Sequence, residues 1–292
     1  MPTLLAPAKI NATLEILSRR EDGYHTLRSV MLPIGLYDRI ELEASATGAA
    51  FATDDPSLAE ANLVERALAG SGLATAYAAH LRKAIPVGGG LGGGSSDAAA
   101  VISAAMRGTL GARRERDWLA FARELGSDVP FFLCGTGALV EGTGERITPL
   151  GALPPWWVVV VRPHAAVATA GAYRLLDDAR QNGTVPHPSR PRATSVSLAA
   201  VDAIQRADFG AFSSSLQNDF HAPVCDAYPP VAVAAAALHA AGAHRPLLSG
   251  SGSCLFAMFA DEGSARDVAA RLDPGAVEQT FTVPLNRDGA WR

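Results

Sequence analysis

Lysine is the scarcest residue of this 292-residue chain, since Lys9 and Lys83 stand against 23 arginines among the 25 basic residues. A chain so biased toward arginine keeps a lysine where a compact ammonium is needed, because the planar guanidinium has a different shape and hydrogen-bond geometry. The two lysines are therefore candidates for functional cations. Chance survival is the alternative.

Net positive charge is also lacking. The formal net charge is -4, and acidic residues interleave with the basic ones. A protein that binds nucleic acid presents a basic stripe or a basic domain to the phosphates. We therefore expect no nucleic-acid partner.

Cysteine is too rare to build a framework. Cys134, Cys225 and Cys254 are odd in number, far apart and in no CxxC spacing. This pattern excludes a disulfide scaffold and a cysteine-based zinc site, and it fits a reducing compartment.

Long hydrophobic runs are missing as well. Residues 156–161 are too few to span a bilayer, and the uncharged run 227–244 is interrupted by Pro229, Pro230 and Gly242. Residues 1–8 lack the basic start and apolar region of a signal peptide. We expect no membrane association and a soluble cytoplasmic protein, present as a monomer or a weak homodimer.

The length and composition suit two globular domains. Hydrophobic residues make up 48% and charged residues 18% of the chain. A connection rich in glycine and proline at residues 142–155 separates them, so we place the domains at 1–150 and 151–292. Residues 181–194 are rich in proline and arginine, and we expect an irregular surface loop there.

Hydrophobic periodicity predicts a mixture of strands and helices. Strands are expected near residues 8–18, 40–44, 78–85, 138–141, 156–162 and 254–259, with a turn at 20–23. Helices are expected near residues 62–70, 95–106, 117–125, 170–180, 198–206, 212–218 and 231–241. Strands and helices do not alternate strictly, which favours an α+β fold over a doubly wound parallel sheet.

A glycine-rich run between a strand and a helix is the strongest functional signal. Glycine permits positive φ and close backbone approach, so successive N–H groups can line one concave nest for a polyphosphate. The following helix, with Ser95 or Ser96 as N-cap and Asp97 in its first turn, adds donors and partial positive charge. A flexible linker is the alternative. The run comprises Pro86, Val87, Gly88, Gly89, Gly90, Leu91, Gly92, Gly93, Gly94, Ser95 and Ser96.

Three familiar nucleotide sites do not match this run. Its GxGxxG spacing is not followed by the acidic residue at a strand end, about twenty positions later, that a dinucleotide site uses, because residues 111–116 there read as a polar turn. A Walker A loop requires a lysine, and this run contains none. The VAIK, HRD and DFG motifs of protein kinases are also absent from the chain.

Lys9 and Asp128 are the candidate catalytic pair. Lys9 lies in an apolar segment near the start of a strand, and Asp128 directly precedes a Val-Pro-Phe-Phe segment. A carboxylate in such a place needs a partner, and an ammonium would keep it ionised for accepting a proton from an alcohol. The alternatives are a surface lysine and a helix-capping or turn aspartate.

The chain resembles the GHMP small-molecule kinases in three segments. These are Pro-Ala-Lys-Ile-Asn at 7–11, the glycine run at 88–96, and Leu-Ser-Gly-Ser-Gly-Ser at 248–253. The resemblance implies a ribosomal-protein-S5-like N-terminal domain, a ferredoxin-like C-terminal domain and an active site between them. It also implies ATP phosphates on residues 86–96, adenine near Asn62, Leu63 and Lys83, and a nucleotide carried with Mg²⁺, for which no protein ligand is evident.

Three further segments, at 20–25, 125–132 and 215–220, resemble one branch of this superfamily. That branch phosphorylates the 2-hydroxyl of a cytidine diphosphate-linked methylerythritol in the non-mevalonate isoprenoid pathway. The resemblance implies that Asp128 is the base with Lys9 beside it. Cytosine would be held by Tyr24 and His25 and stacked against Tyr173, and Asn11 would contact the substrate phosphates. The alternatives are another GHMP kinase, of homoserine or mevalonate type, and a non-catalytic ATP-binding sensor.

Overall fold

The computed structural model describes residues 2–45, 50–58, 60, 62–110, 116–186 and 195–286. The strands are β1 (Thr3–Arg19), β2 (His25–Ala44), β3 (Phe51–Thr53), β4 (Tyr77–Arg82), β5 (Ala138–Gly142), β6 (Arg146–Pro149), β7 (Trp157–Arg162), β8 (Gln217–Asn218), β9 (Leu247–Leu248), β10 (Leu255–Phe259) and β11 (Gln279–Pro284). The helices are α1 (Leu63–Ser71), α2 (Gly93–Arg107), α3 (Trp118–Leu125), α4 (Val129–Leu133), α5 (Thr169–Gln181), α6 (Val196–Gln205), α7 (Phe209–Ser215), α8 (His221–Ala227), α9 (Pro229–Ala240) and α10 (Glu262–Ala270).

The first sheet is built on a long antiparallel pair, β1 and β2. Its strand order is β3-β4-β2-β1-β8, while β5 pairs with β2 and β6 pairs with β5. The chain reverses between β1 and β2 through the predicted turn, where Arg20 N–H donates to the Tyr24 carbonyl at 2.7 Å and Gly23 has φ of 86°. This turn places Tyr24 and His25 at the edge of a cleft that is described below.

The second sheet has the antiparallel order β11-β7-β10-β9. Successive side chains of a strand point to opposite faces. In β7, Val158 and Val160 therefore join the apolar layer shared with β1 and β2, and Val159 and Val161 join the layer under α5, α8, α9 and α10. Helices α1 to α4 pack on the outer side of the first sheet. Sheets whose strands pair mainly antiparallel, with helices packed against them, confirm the α+β expectation.

A short parallel strand ties the second half of the chain to the first sheet. β8 pairs with β1 at Thr13 and Leu14, although residues 212–218 were expected to be helical. The prediction holds only for residues 212–215. Helix α7 begins earlier, at Phe209, where Asp208 caps it by accepting from the Ala211 N–H at 3.0 Å. It ends at Ser215, because the backbone of Leu216 is extended and leads into β8.

Several other boundaries differ from the sequence predictions. α2 begins at Gly93 with Gly92 at its N-cap position, so neither Ser95 nor Ser96 caps it and Asp97 lies beyond its first turn. β4 ends at Arg82 rather than near residue 85. The N–H groups of Ala84 and Ile85 donate to the side-chain carboxylate of Asp38 and not to backbone carbonyls of a neighbouring strand.

Some strands and helices of the structure were not predicted from the sequence. β6 lies inside the glycine- and proline-rich connection, and α4, α8, α10 and β11 were not predicted. The expected loop at 181–194 falls outside the described residues from 187 onward. The domain division at residue 150 stays a prediction. No helix among the described residues is both long and apolar enough to cross a bilayer.

Candidate active site

The glycine run forms one side of a cavity of about 380 Å³ between β4 and α2. Gly88, Gly90 and Gly92 have φ of 71°, 76° and 72°, a backbone region that side chains strongly disfavour. Asn62, Leu63 and Lys83 line the same cavity, as expected around a nucleotide, whereas Ser96 is fully buried and does not line it. Gly92 offers no capping side chain, and the first N–H groups of α2 are left available for an anion.

Asn62 and Leu63 reach the cavity because α1 begins there. Asn62 is the N-cap: its amide oxygen accepts from the Val64 N–H at 2.8 Å, and its amide nitrogen donates to the Leu58 carbonyl at 3.1 Å. The polar atoms of Asn62 are thus used locally to fix the entrance of the cavity.

Lys83 lies under the glycine run between two buried carboxylates. Its ammonium donates to Asp38 and, at 2.8 Å, to Asp97 on α2. Burial opposes the charge on Lys83, but the carboxylates of Asp97 and Asp38 outweigh burial and raise its pKa. Burial also raises the pKa of Asp97 to about 7, with Asp38 adding to the shift and Lys83 opposing it. Two carboxylates share one ammonium, so this cluster joins β2, the end of β4 and α2 at an electrostatic cost.

A second glycine-containing loop packs directly on the first. The Ser249 hydroxyl donates to the Gly90 carbonyl at 3.0 Å, and the Cys254 N–H donates to the Gly89 carbonyl at 3.1 Å. From β8, the amide of Asn218 donates to the Leu248 and Gly250 carbonyls, both at 2.8 Å. The loop at 248–253 is therefore fixed both to the glycine run and to the first sheet.

Lys9 points into the junction of these two loops. It is 3% exposed, and its ammonium donates to the amide oxygen of Asn11 and, at 2.8 Å, to the Gly90 carbonyl. Asp128 Oδ2 lies 3.8 Å from Lys9 Nζ. Burial lowers the pKa of Lys9, and the negative charge of Asp128 opposes that shift.

Asn11 holds Lys9 in a fixed orientation. Its amide nitrogen donates to the Ser29 hydroxyl at 2.8 Å, and Ser29 in turn donates to the Thr13 carbonyl at 2.6 Å. Since the nitrogen is on the Ser29 side, the amide oxygen faces Lys9. Asn11 is 1% exposed and lines the cleft, where its amide keeps a second N–H.

Asp128 stands at the N-cap position of α4 but does not cap it. Its side chain makes no capping hydrogen bond, and 32% of that side chain is exposed. The helix-capping alternative is therefore wrong for this aspartate, and its carboxylate faces Lys9 and the cleft.

The cleft beyond Lys9 and Asp128 has a volume of about 730 Å³. Tyr24, 69% exposed, stands at its edge, and the ring of His25 stacks on that of Tyr173 with centroids 5.0 Å apart. Burial raises the pKa of Tyr173, and the nearby charges of Asp128 and Asp177 add to the shift. The phenol therefore stays protonated beside these carboxylates. Every residue predicted for the acceptor side lines this one cleft.

Some residues of the site were missed by sequence reasoning. Asp38 and Asp97 give Lys83 its buried ion pairs, Asp177 pairs with His25, and Asn218 and Ser249 fix the second loop. Asp97 offered a usable signal, because an aspartate among alanines and valines on a buried helix face needs a cationic partner. The others are brought in by long-range topology.

A protein-bound magnesium ion does not fit these residues. Asp97, which lines the cavity, and Asp38, beside Gly93, are already engaged by Lys83, and Glu60 is the other carboxylate described along the cavity. No group of three or more histidine, cysteine, aspartate or glutamate side chains within the described ranges is arranged to hold a metal ion. The ligands of a metal that accompanies the nucleotide would have to come mainly from the nucleotide itself.

Comparison with known proteins agrees with this geometry. The family model of the GHMP kinases N terminal domain matches residues 58–136, and the model described as GHMP kinases C terminal matches residues 200–277. The fold is shared with a homoserine kinase from Cytophaga hutchinsonii, with a TM-score of 0.69 at 20% identity over 98% of this chain and 95% of that one. The fold is thus that of a GHMP small-molecule kinase.

Closer relatives specify the branch. A 4-diphosphocytidyl-2-C-methyl-D-erythritol kinase of Geobacter sp. strain M21 is 39% identical over 92% of this chain and 94% of its own. One from Pelotomaculum thermopropionicum is 40% identical over 92% and 93%. A crystal structure of 4-(cytidine 5'-diphospho)-2C-methyl-D-erythritol kinase matches with a TM-score of 0.78 at 36% identity, covering 97% of this chain and 99% of that one. The chain belongs to the 4-diphosphocytidyl-2-C-methyl-D-erythritol kinase family.

The contact between the two glycine loops predicts a sharp difference between two alanine variants. A Cβ at Gly90 would lie 2.0 Å from the Ser249 carbonyl oxygen, whereas a Cβ at Gly88, with nearly the same φ, meets nothing within 4 Å. Both variants carry backbone strain, but Gly90→Ala must also separate the loops. We expect it to be less stable than Gly88→Ala by about 1–3 kcal/mol in urea unfolding. Equal stabilities would contradict this packing.

The cluster around Lys83 predicts a pH-dependent stability. Asp97 has a folded pKa of about 7, above an unfolded value of about 4. Its protonation therefore stabilises the fold at low pH, and this contribution is lost as pH rises toward 7. Relative to Asp97→Asn, the parent should lose up to about 1.4 kcal/mol of unfolding free energy per pH unit between pH 5 and 7.

Urea titrations at several pH values measure this difference. Asp267→Asn, at an exposed position of α10, is the matched control, and its difference from the parent should not change in the same way. Parallel curves for the parent and Asp97→Asn would show that Asp97 has an ordinary pKa.

Proposed function

We propose that this kinase transfers the γ-phosphoryl group of ATP to the 2-hydroxyl of 4-diphosphocytidyl-2-C-methyl-D-erythritol, giving the 2-phosphate and ADP. The observation that carries the proposal is the position of Lys9 and Asp128. Both line the large cleft, and Lys9 bonds to Gly90, which also lines the nucleotide cavity. The pair thus stands where a phosphate donor and an alcohol acceptor would meet.

In this proposal the glycine run holds the phosphates of ATP. Backbone N–H groups of residues 86–96 and the start of α2 supply donors and partial positive charge to the anion. Adenine lies near Asn62, Leu63 and Lys83, where the apolar side chain of Leu63 offers a surface for the base. Because the ammonium of Lys83 is held by two aspartates, its role here is to shape the cavity.

Asp128 is the proposed general base. Its carboxylate accepts the proton of the 2-hydroxyl while that oxygen attacks the γ-phosphorus, and the bond to the β-phosphate oxygen breaks. Lys9, 3.8 Å away, favours the negative charge on Asp128 and, being a cation, favours the charge on the transferring phosphoryl group. Magnesium bound to the nucleotide would neutralise part of the phosphate charge.

The acceptor side of the cleft is proposed to recognise the cytidine diphosphate part. Tyr24 and Tyr173 offer aromatic faces, His25 offers ring nitrogens, and Asn11 offers its remaining amide N–H to a substrate phosphate oxygen. The ring of His25 lies against one face of Tyr173. Activity in the cytoplasm is part of the same proposal, since ATP is the donor.

A panel of acceptors tests the substrate. We expect ADP release with the cytidine diphosphate alcohol, and little with mevalonate or homoserine, because neither carries a base for the aromatic arm. Turnover with mevalonate or homoserine and none with the cytidine compound would reject the proposal in favour of another GHMP activity. ATP binding without turnover of any acceptor would favour the sensor alternative.

Removing the proposed base tests the mechanism. Asp128→Asn keeps the size of the side chain but cannot accept the proton, so kcat should fall by about 10²–10⁴-fold while the KM for ATP changes little. Asp267→Asn, remote from both cavities, is the control and should match the parent. An active Asp128→Asn enzyme would show that another group receives the proton.

A further inference from the structure

Asp177 makes a contact in the cleft that has no role in the reaction proposed above. It lies on α5, and its Oδ1 is 3.0 Å from Nε2 of His25 on β2. The His25 side chain is 7% exposed and the Asp177 side chain 27% exposed. The pair spans the two halves of the chain and lines the cleft.

The chemistry of this contact fixes the proton on the ring. A carboxylate only accepts hydrogen bonds, so the Nε2 atom of His25 must carry hydrogen to bond with Asp177. In the neutral imidazole the other nitrogen, Nδ1, then has a lone pair and acts as an acceptor. Nδ1 has no hydrogen-bond partner among the residues that the structure describes.

The ring is also held in place by its neighbours. Tyr173, one helical turn before Asp177 on α5, stacks on His25 with an interplanar angle of 27°. Tyr173 is itself braced by an edge contact with Phe220 at 4.8 Å between centroids. Asp177 and Tyr173 therefore hold the same ring, one through its edge and the other through its face.

Other charges near the ring are engaged or lie at its margin. Arg180, the next turn of α5, donates to the Ile16 carbonyl at 2.7 Å and to Asp219 at 3.1 Å. Arg19 and Arg174 line the cleft, but in the described part of the chain neither donates a hydrogen bond to Asp177. Among the described residues, the hydrogen bond that Asp177 makes is the one to His25.

We propose that Asp177 is a positioning residue that selects cytosine over uracil through the tautomer of His25. Resting on the function proposed above, the inference assigns Nδ1 of His25 as the acceptor for the exocyclic amino group of cytosine. Uracil has a carbonyl oxygen at the corresponding position, so two acceptors would face each other and one would be left unpaired. A site built for a donor rejects an analogue that lacks it, because its own polar group then stays unsatisfied.

The tautomer is measured directly on the parent enzyme. ¹⁵N NMR of the histidine ring nitrogens, with His25→Gln used to assign the signals, should show hydrogen on Nε2 and none on Nδ1, both free and with the cytidine substrate bound. Hydrogen on Nδ1 in the complex overturns the assignment. This measurement requires no variant of Asp177 to fold.

Base selection is measured by competing substrates. The ratio of kcat/KM for the cytidine compound to that for its uridine counterpart should fall about five- to tenfold in Asp177→Ala, which leaves His25 without its partner. Asp177→Asn retains an oxygen that can accept from Nε2 and should restore part of the ratio. Asp178→Ala, on the exposed side of the same helix, should leave it unchanged.

The two proposals fail in different ways. A parent enzyme inactive on the cytidine compound rejects the proposed function. An active parent with an unchanged ratio in Asp177→Ala rejects the role of Asp177, and so does an equal loss with both bases, which would mean a purely structural contact.

Discussion

The buried ammonium of Lys9 organises the centre of this molecule. Lys9 loses nearly all contact with water, and burying a charge is tolerated only where hydrogen bonds and an opposite charge surround it. Asn11, the Gly90 carbonyl and Asp128 supply them, and each comes from a different part of the first half of the chain. The strand pair, the glycine run and the start of α4 therefore have to meet at one point, and that point is where the two cavities join.

The second half of the chain completes this arrangement. Its loop at 248–253 would collide with any side chain at Gly90, and Asn218 holds that loop while β8 extends the first sheet. Gly90 is thus subject to two constraints, its positive φ and the close approach of this loop. Glycine meets both because it has no side chain and tolerates positive φ.

The sequence was informative wherever one residue type had few physical explanations. The rarity of lysine pointed to Lys9, the apolar context pointed to Asp128, and the glycine run predicted a backbone nest that the structure contains. The sequence was silent where partners are distant along the chain, as for Asp38 with Lys83 or Asp177 with His25, because no local period links them. The end of α7 was missed because the backbone of Leu216 becomes extended where the sequence pattern still predicted a helix.

Gly90 and Gly92 line both the nucleotide cavity and the acceptor cleft. The cavity and the cleft therefore share the backbone of two glycines, and under the proposed function the phosphate donor and the alcohol acceptor would meet there. The far surface of the cleft, carried by α5 and by the turn between β1 and β2, is separate from these glycines. Under the same proposal, a change of acceptor requires changes on the far surface and none at the glycines that face the nucleotide.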